Sequence, residues 1–156
     1  MMKSFIFILL FANFLNANDE PKMVIDLTTG SVVKFKKAIL KGIEVHKTHY
    51  ANNLQELEVA VIIHGGAYKF FVRNIKNSIF KDDKELVKAY TDLKKRIAIM
   101  SDTYDVEFFM CQSGMNSKGL KEKDIVEFVK FIPTSTIGLI DKQNEGFAYI
   151  PVRNLP

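Results

Sequence analysis

Residues 57–63 (LEVAVII) end in an uninterrupted apolar run, closed by His64-Gly65-Gly66. The run has the length of a strand, and without polar alternation such a strand is buried on both faces. A sheet containing it needs covering helices, and the rest of the chain supplies them. Residues 23–27 (MVIDL) read as a short strand stopped by Thr28-Thr29-Gly30, with Ser31 placed to cap a helix. Val32, Phe35, Ile39, Ile43, His46 and Tyr50 then recur every three or four positions, one face of that helix. Asp82-x-x-Glu85 has the form of an N-terminal cap. Behind it Leu86, Tyr90, Leu93, Ile97 and Met100 form a second helical face. Residues 106–110 (VEFFM) give a third strand, 119–128 a short helix with a charged outer face, and 129–132 a fourth strand stopped by Pro133. Residues 135–145 read as a helix with Gly146 as the left-handed residue beyond its end. Residues 147–150 give a fifth strand, closed by Pro151. Strands and helices in alternation predict an α/β fold with a parallel sheet between helices. In such sheets functional groups collect at the carboxyl ends of strands.

The chain has 156 residues, formal net charge +4 and one cysteine. That length gives one domain with a core that needs no staples. A single cysteine excludes an intramolecular disulfide and any C-x-x-C redox or zinc motif. The mild positive charge points to no nucleic-acid partner. Met1-Met2-Lys3-Ser4 is a short basic start, and residues 5–15 (FIFILLFANFL) are apolar except for Asn13. Eleven residues are too few for a bilayer, which takes about 20. They match a signal-peptide core, with cleavage after Ala17. Residues 1–17 are thus expected to be a signal peptide. The remainder is then periplasmic or secreted, with no stable membrane anchor after processing. Leu15 stands where a small residue is usual, so a buried N-terminal helix or an uncleaved anchor is the alternative.

Cys111 follows the third strand directly and opens Gln112-Ser113-Gly114. A thiol at a strand's carboxyl edge, before a Gly-containing turn, can receive backbone N–H groups that favour thiolate. Lys118 and Lys121 stand close in sequence and add positive potential. Chemistry there would use one thiol: persulfide carriage, nucleophilic attack or a mixed disulfide. The other reading is a cysteine that simply packs. His64-Gly65-Gly66 ends the second strand, where the glycines permit a sharp turn or close approach to a ligand. The imidazole there can act as base or donor, or merely be satisfied in a turn. With neighbouring strands about 4.8 Å apart, His64 and Cys111 would share one rim. The candidate site is therefore Cys111 with a pocket of His64, Gly65, Gly66, Gln112, Ser113 and Gly114.

His46 and His49 stand at i, i+3 without the Glu of H-E-x-x-H. His46 falls on the apolar face, where a packed histidine is the expectation, so no metal site is predicted. Thr28-Thr29-Gly30-Ser31 could hold an anion on free amides. The chain has no G-x-G-x-x-G, P-loop or G-x-S-x-G, and no cofactor is expected.

VAVIIHGGAYKFF, VEFFMCQSGMNSKGL and VKFIPTSTIGLIDKQNEGFAYIPV together resemble the DsrE/DsrF-like family over most of residues 22–151. Three features carry the resemblance: the strand ending in His64-Gly65-Gly66, the strand ending in Cys111-Gln112, and the Gln143-x-x-Gly146-Phe147-Ala148-Tyr149 ending. The resemblance implies a single DsrE-like domain over residues 18–156. Its fold would be a three-layer α/β/α sandwich around a five-stranded parallel sheet of order 4-3-2-1-5. It implies a homo-oligomer, trimer or hexamer. Family members with a cysteine here act in sulfur relay, so Cys111 would carry persulfide between a donor and an acceptor, protein or small thiol. Export departs from the family pattern, whose relay members work in the cytoplasm. The alternative function is a non-catalytic, oligomeric module that binds a small ligand or a protein, with Cys111 structural.

Overall fold

A computed structural model describes residues 20–154. The expected signal peptide, residues 1–17, lies outside them. Among the described residues no helix is long and apolar enough to cross a membrane.

Five strands form one parallel sheet: β1 (Lys22–Leu27), β2 (Glu58–Ile63), β3 (Val106–Cys111), β4 (Lys130–Ile132) and β5 (Ala148–Val152). Their order is β4-β3-β2-β1-β5. β2 sits at the centre, and its apolar run Val59–Ile63 is buried throughout, as its composition requires.

Alternation along each strand divides the core. Ile25, Val61, Phe108 and Met110 face a large cluster with Phe35, Ile39, Tyr68, Phe71, Leu86 and Leu93. Val24, Ala60 and Ile62 face a small one with Phe147. The large face is covered by α1 (Val32–Phe35), a π-helical stretch (Lys36–Gly42), α2 (Ile43–Asn52), a 3-10 turn (Ala67–Phe71) and α3 (Lys84–Asp102). The small face is packed by α5 (Ser135–Asn144). Stepping β1→β2→β3 with right-handed crossovers puts those helices on one side, and the return to β5 puts α5 on the other. At Gly138 a Cβ would stand 2.4 Å from Ile132 Cδ1 and 3.2 Å from Ile62 Cδ1, so the missing side chain seats α5 on the sheet.

Four details depart from the sequence reading. The π-helical stretch rotates the first helix, since each π-turn takes about one extra residue. Ile39 and Ile43 are buried as expected and Leu40 joins them, while His46 turns out to solvent and is not a core histidine. Asp83, not Asp82, caps α3, accepting from the Leu86 amide at 3.0 Å. Residues 119–128 form no helix beyond the turn Glu122–Asp124. Gly119 has φ +72°, and Val72 bridges Ile125, which holds this stretch extended against the main cluster. A short helix, α4 (Gln112–Ser117), forms just before it. Finally, β5 runs through Pro151 to Val152. It is an edge strand, and a residue without N–H is tolerated on a strand's unpaired side.

Candidate functional site

Two clusters lie at the carboxyl edge of the sheet. The first surrounds Cys111. The chain leaves β3 into α4, whose Met115 joins the large cluster, and leaves β4 into α5 on the opposite face. Adjacent strands whose connections part to opposite faces open a crevice between their carboxyl ends. Cys111, the last residue of β3, stands where those connections part and is 6% exposed. The Ser113 amide donates to the Pro133 carbonyl at 3.2 Å and ties the two departing loops together.

Burial pushes the Cys111 thiol up. The Gly114 amide, the Tyr68 hydroxyl, and the amide and hydroxyl of Ser135 outweigh it and hold the thiol below its ordinary value. Gly114 and Ser135 stand in the first turns of α4 and α5, and Tyr68 in the 3-10 turn after β2, so the fold itself places them around sulfur. Tyr68 is 1% exposed and donates to the Cys111 carbonyl at 3.0 Å. Burial, then Cys111 itself, pushes the phenol well above its usual range, so it stays protonated and remains a donor. Its approach depends on Gly114, where a Cβ would lie 2.3 Å from the Tyr68 oxygen. Lys118 Nζ stands 6.0 Å from the Tyr68 ring centroid and adds positive potential nearby.

The second cluster surrounds Asp26, a charged residue that is only 3% exposed. His64 Nε2–H donates to Oδ1 at 2.5 Å. Tyr149 donates to Oδ2 at 2.6 Å, and the Arg153 guanidinium donates to the same oxygen at 2.9 Å. Arg153 also bonds the Tyr149 hydroxyl. Burial raises the Asp26 pKa, but the three donors more than offset this and hold it below the usual carboxylate range. The Asp26 bond raises Tyr149 in return.

The predicted residues divide between these clusters. Cys111 and Gly114 meet at the thiol. His64 is bonded to Asp26 and not to sulfur. Gly65, at φ +61°, and Gly66 pack against the loop after β1, where a Cβ on Gly66 would stand 2.9 Å from the Gly30 nitrogen. That close approach joins two loops of the chain. The Thr28 and Thr29 amides both donate to the Val152 carbonyl, so they are not free for an anion. Gln112 donates to Glu122 at 2.7 Å, and Ser113 is held through its backbone. His46 and His49 are exposed, and among the described residues no group of three or more His, Cys, Asp or Glu could hold a metal.

Residues 35–152 match the DsrE/DsrF-like family. The chain belongs to that family. A protein of Aquifex aeolicus (strain VF5), described only as uncharacterized, is 28% identical over 160 residues, covering 97% of this chain and 64% of that protein. The chain thus spans just under two-thirds of that relative's length. The fold is shared with MTH1491 of Methanobacterium thermoautotrophicum, a protein of unknown function. The TM-score is 0.55 at 17% identity, over 85% of this chain and 99% of that one. The match to the DsrE/DsrF-like family includes His64, Tyr68, Cys111, Ser135 and Tyr149, and excludes Asp26 and Arg153.

Sequence reasoning missed Tyr68, Ser135, Asp26, Tyr149 and Arg153. Asp26 carried a signal. It interrupts the apolar run MVIDL in step with Val24, hence on a buried face, where a carboxylate must be paired. Ser135 was visible only as the start of a helix. Nothing near Tyr68 in sequence announces a partner 43 positions away.

Proposed function

We propose that this DsrE-like protein is a single-cysteine sulfur carrier, with Cys111 cycling between thiolate and persulfide. The observation that carries the reading is the set of donors around sulfur, which favours the nucleophilic thiolate at the crevice between β3 and β4. Family membership supports it, since sulfur relay is the activity the family suggests. In the step, Cys111–S⁻ attacks the outer sulfur of a donor R–S–SH. A new sulfur–sulfur bond forms, the donor's bond breaks, and R–S⁻ departs with the electron pair. Delivery is the same displacement by an acceptor thiolate, so no external oxidant or reductant is consumed. Incubation with an alkyl persulfide, followed by intact-mass measurement, tests it. The expected product gains the mass of one sulfur atom and is absent in Cys111→Ser. No gain, or a gain that persists in that variant, overturns the reading.

The low exposure of Cys111 favours a second reading, a binding module with a structural thiol. Slow alkylation of the native protein, with fast alkylation after denaturation, would select it.

Export and self-association belong to the same proposal. The leader-like residues 1–17 support a periplasmic or secreted protein, and N-terminal sequencing of the mature chain tests it. For association the support is geometric. Helix α5 is about 10 Å wide, against about 19 Å across five strands. It also exposes Ile137 (44%) and Ile140 (51%). A homo-oligomer, trimer or hexamer, would cover that face. A monomeric mass at micromolar concentration would sink it.

A further inference from the structure

The Asp26 cluster is the molecule's other concentration of buried charge, and thiolate stabilisation at Cys111 leaves it unused. Its position on the sheet relates it to sulfur. The ladder pairs Ile63 with Met110, so the next positions, His64 and Cys111, stand one strand apart, about 4.8 Å. Ile62 and Phe109 both belong to the α5 side of the sheet. Two residues further on, the pleat returns His64 to that same side, and Cys111, paired there with Ile132 of the α5 side, also packs on the large cluster. His64 meets Asp26 there, and Cys111 meets Ser135 at the start of α5.

We propose that His64 is the proton donor to the departing sulfur in transfer to Cys111, and that Asp26, with Tyr149 and Arg153, is its positioning group. The proposal rests on the sulfur-carrier reading. In-line attack places the leaving sulfur two sulfur–sulfur bonds from Cys111 Sγ, about 4 Å. The backbone spacing between the two strand ends is of the same order. The departing R–S⁻ takes the proton from the imidazolium, leaving R–SH and neutral imidazole, which regains its proton from water. Nε2 is committed to Asp26, whereas Nδ1 has no hydrogen-bond partner among the described residues. Tyr149 and Arg153 both occupy Oδ2, which reserves Oδ1 for His64. A carboxylate bonded to one ring nitrogen fixes the ring's orientation and stabilises the imidazolium. The ionisable groups that face His64 are thus Asp26 from β1, Tyr149 from β5, Arg153 beyond β5, and Cys111 from β3. The substrate class follows: donors whose leaving thiol is a poor leaving group, namely alkyl persulfides, small or on a protein.

The test compares leaving groups. Reduced full-length protein is reacted at neutral pH with an aliphatic disulfide, 2-hydroxyethyl disulfide, and an aromatic one, 5,5′-dithiobis(2-nitrobenzoate). The aromatic thiolate departs without a proton, whereas the aliphatic one gains from an acid. The aliphatic-to-aromatic rate ratio is expected to fall about tenfold in His64→Gln and several-fold in Asp26→Asn. Equal loss with both reagents, or a ratio unmoved in both variants, overturns the role of His64. If His64→Gln does not fold, Asp26→Asn decides. Failure of the carrier reading looks different: the wild type would exchange with disulfides yet gain no sulfur atom from an alkyl persulfide.

Discussion

At the β3–β4 end of the sheet the ionising group is Cys111, and its immediate donors are neutral: two amides and two hydroxyls. At the β1–β5 end it is Asp26, whose donors include a guanidinium and an imidazole. Both groups are almost fully buried and both pKa values are lowered. The difference lies in what happens when the charge is removed. A protonated or sulfur-bearing Cys111 leaves behind amides and hydroxyls that remain tolerable near a neutral sulfur. A neutral Asp26 leaves a guanidinium without its counter-charge. On the sulfur-carrier reading, one corner gains and loses a group, while the other holds its charge and orients its neighbours.

The sharpest way to break this comparison is to delete each ionising side chain. Asp26→Ala is expected to cost about 2–3 kcal/mol at neutral pH, because three donors lose a charged acceptor. Cys111→Ser is expected to cost less than about 1.5 kcal/mol, as a near-isosteric change at an edge rich in donors. Denaturant unfolding of the two variants measures both, and equal losses would erase the distinction. The Asp26 contribution also has a definite pH dependence. Its folded pKa lies below its unfolded value, so the unfolded chain binds more protons in that window. The wild-type advantage over Asp26→Ala is fully present above the ordinary carboxylate range. It is lost as pH falls through the lowered folded pKa.

The next largest effect is on thiol reactivity. Tyr68→Phe removes a hydroxyl that helps hold the thiol down, and Gly114→Ala forces that hydroxyl away. In both, the midpoint of the pH–rate profile for Cys111 alkylation should move up. Each unit of movement means about tenfold less thiolate well below the midpoint. The rate with iodoacetamide at pH 7 is therefore expected to fall several-fold. Asp26→Asn should move that midpoint less. A larger shift in Asp26→Asn than in Tyr68→Phe would reverse the roles assigned to the two corners.

Much of the fold is legible in the sequence because each strand carries its own punctuation. LEVAVII before His64-Gly65-Gly66 and VEFFM before Cys111 are local signals that tertiary packing reinforces. Strand order came from the family resemblance rather than from periodicity. Where the reading failed, a non-local cause is visible. His46 left the core because a π-helical stretch upstream changed the helical phase. Residues 119–128 lost their helix to an isolated bridge with Val72. The site is harder to read for the same reason. Cys111 is marked by position alone, but Tyr68 and Ser135 stand 43 and 24 positions away, brought to it only by the ends of β2, β3 and β4. Asp26 and Arg153, 127 positions apart, meet because β5 returns beside β1.

The smallest expected effect concerns Arg153, and it separates charge from geometry at the Asp26 corner. Its side chain is 58% exposed, against 4% for Asp26, so water screens most of the attraction. Arg153→Ala leaves Tyr149 on Oδ2 and His64 on Oδ1. The carboxylate stays bonded, and the loss should be the smallest of these variants, shrinking further in molar salt. Tyr149→Phe removes a neutral bond to the same oxygen, is expected to cost about 1 kcal/mol, and should be nearly insensitive to salt. Denaturant unfolding at low and high salt distinguishes the two. If Arg153→Ala proves the costlier and its cost survives salt, the corner is held by charge. The two ends of the sheet edge would then differ more deeply than in the identity of their donors.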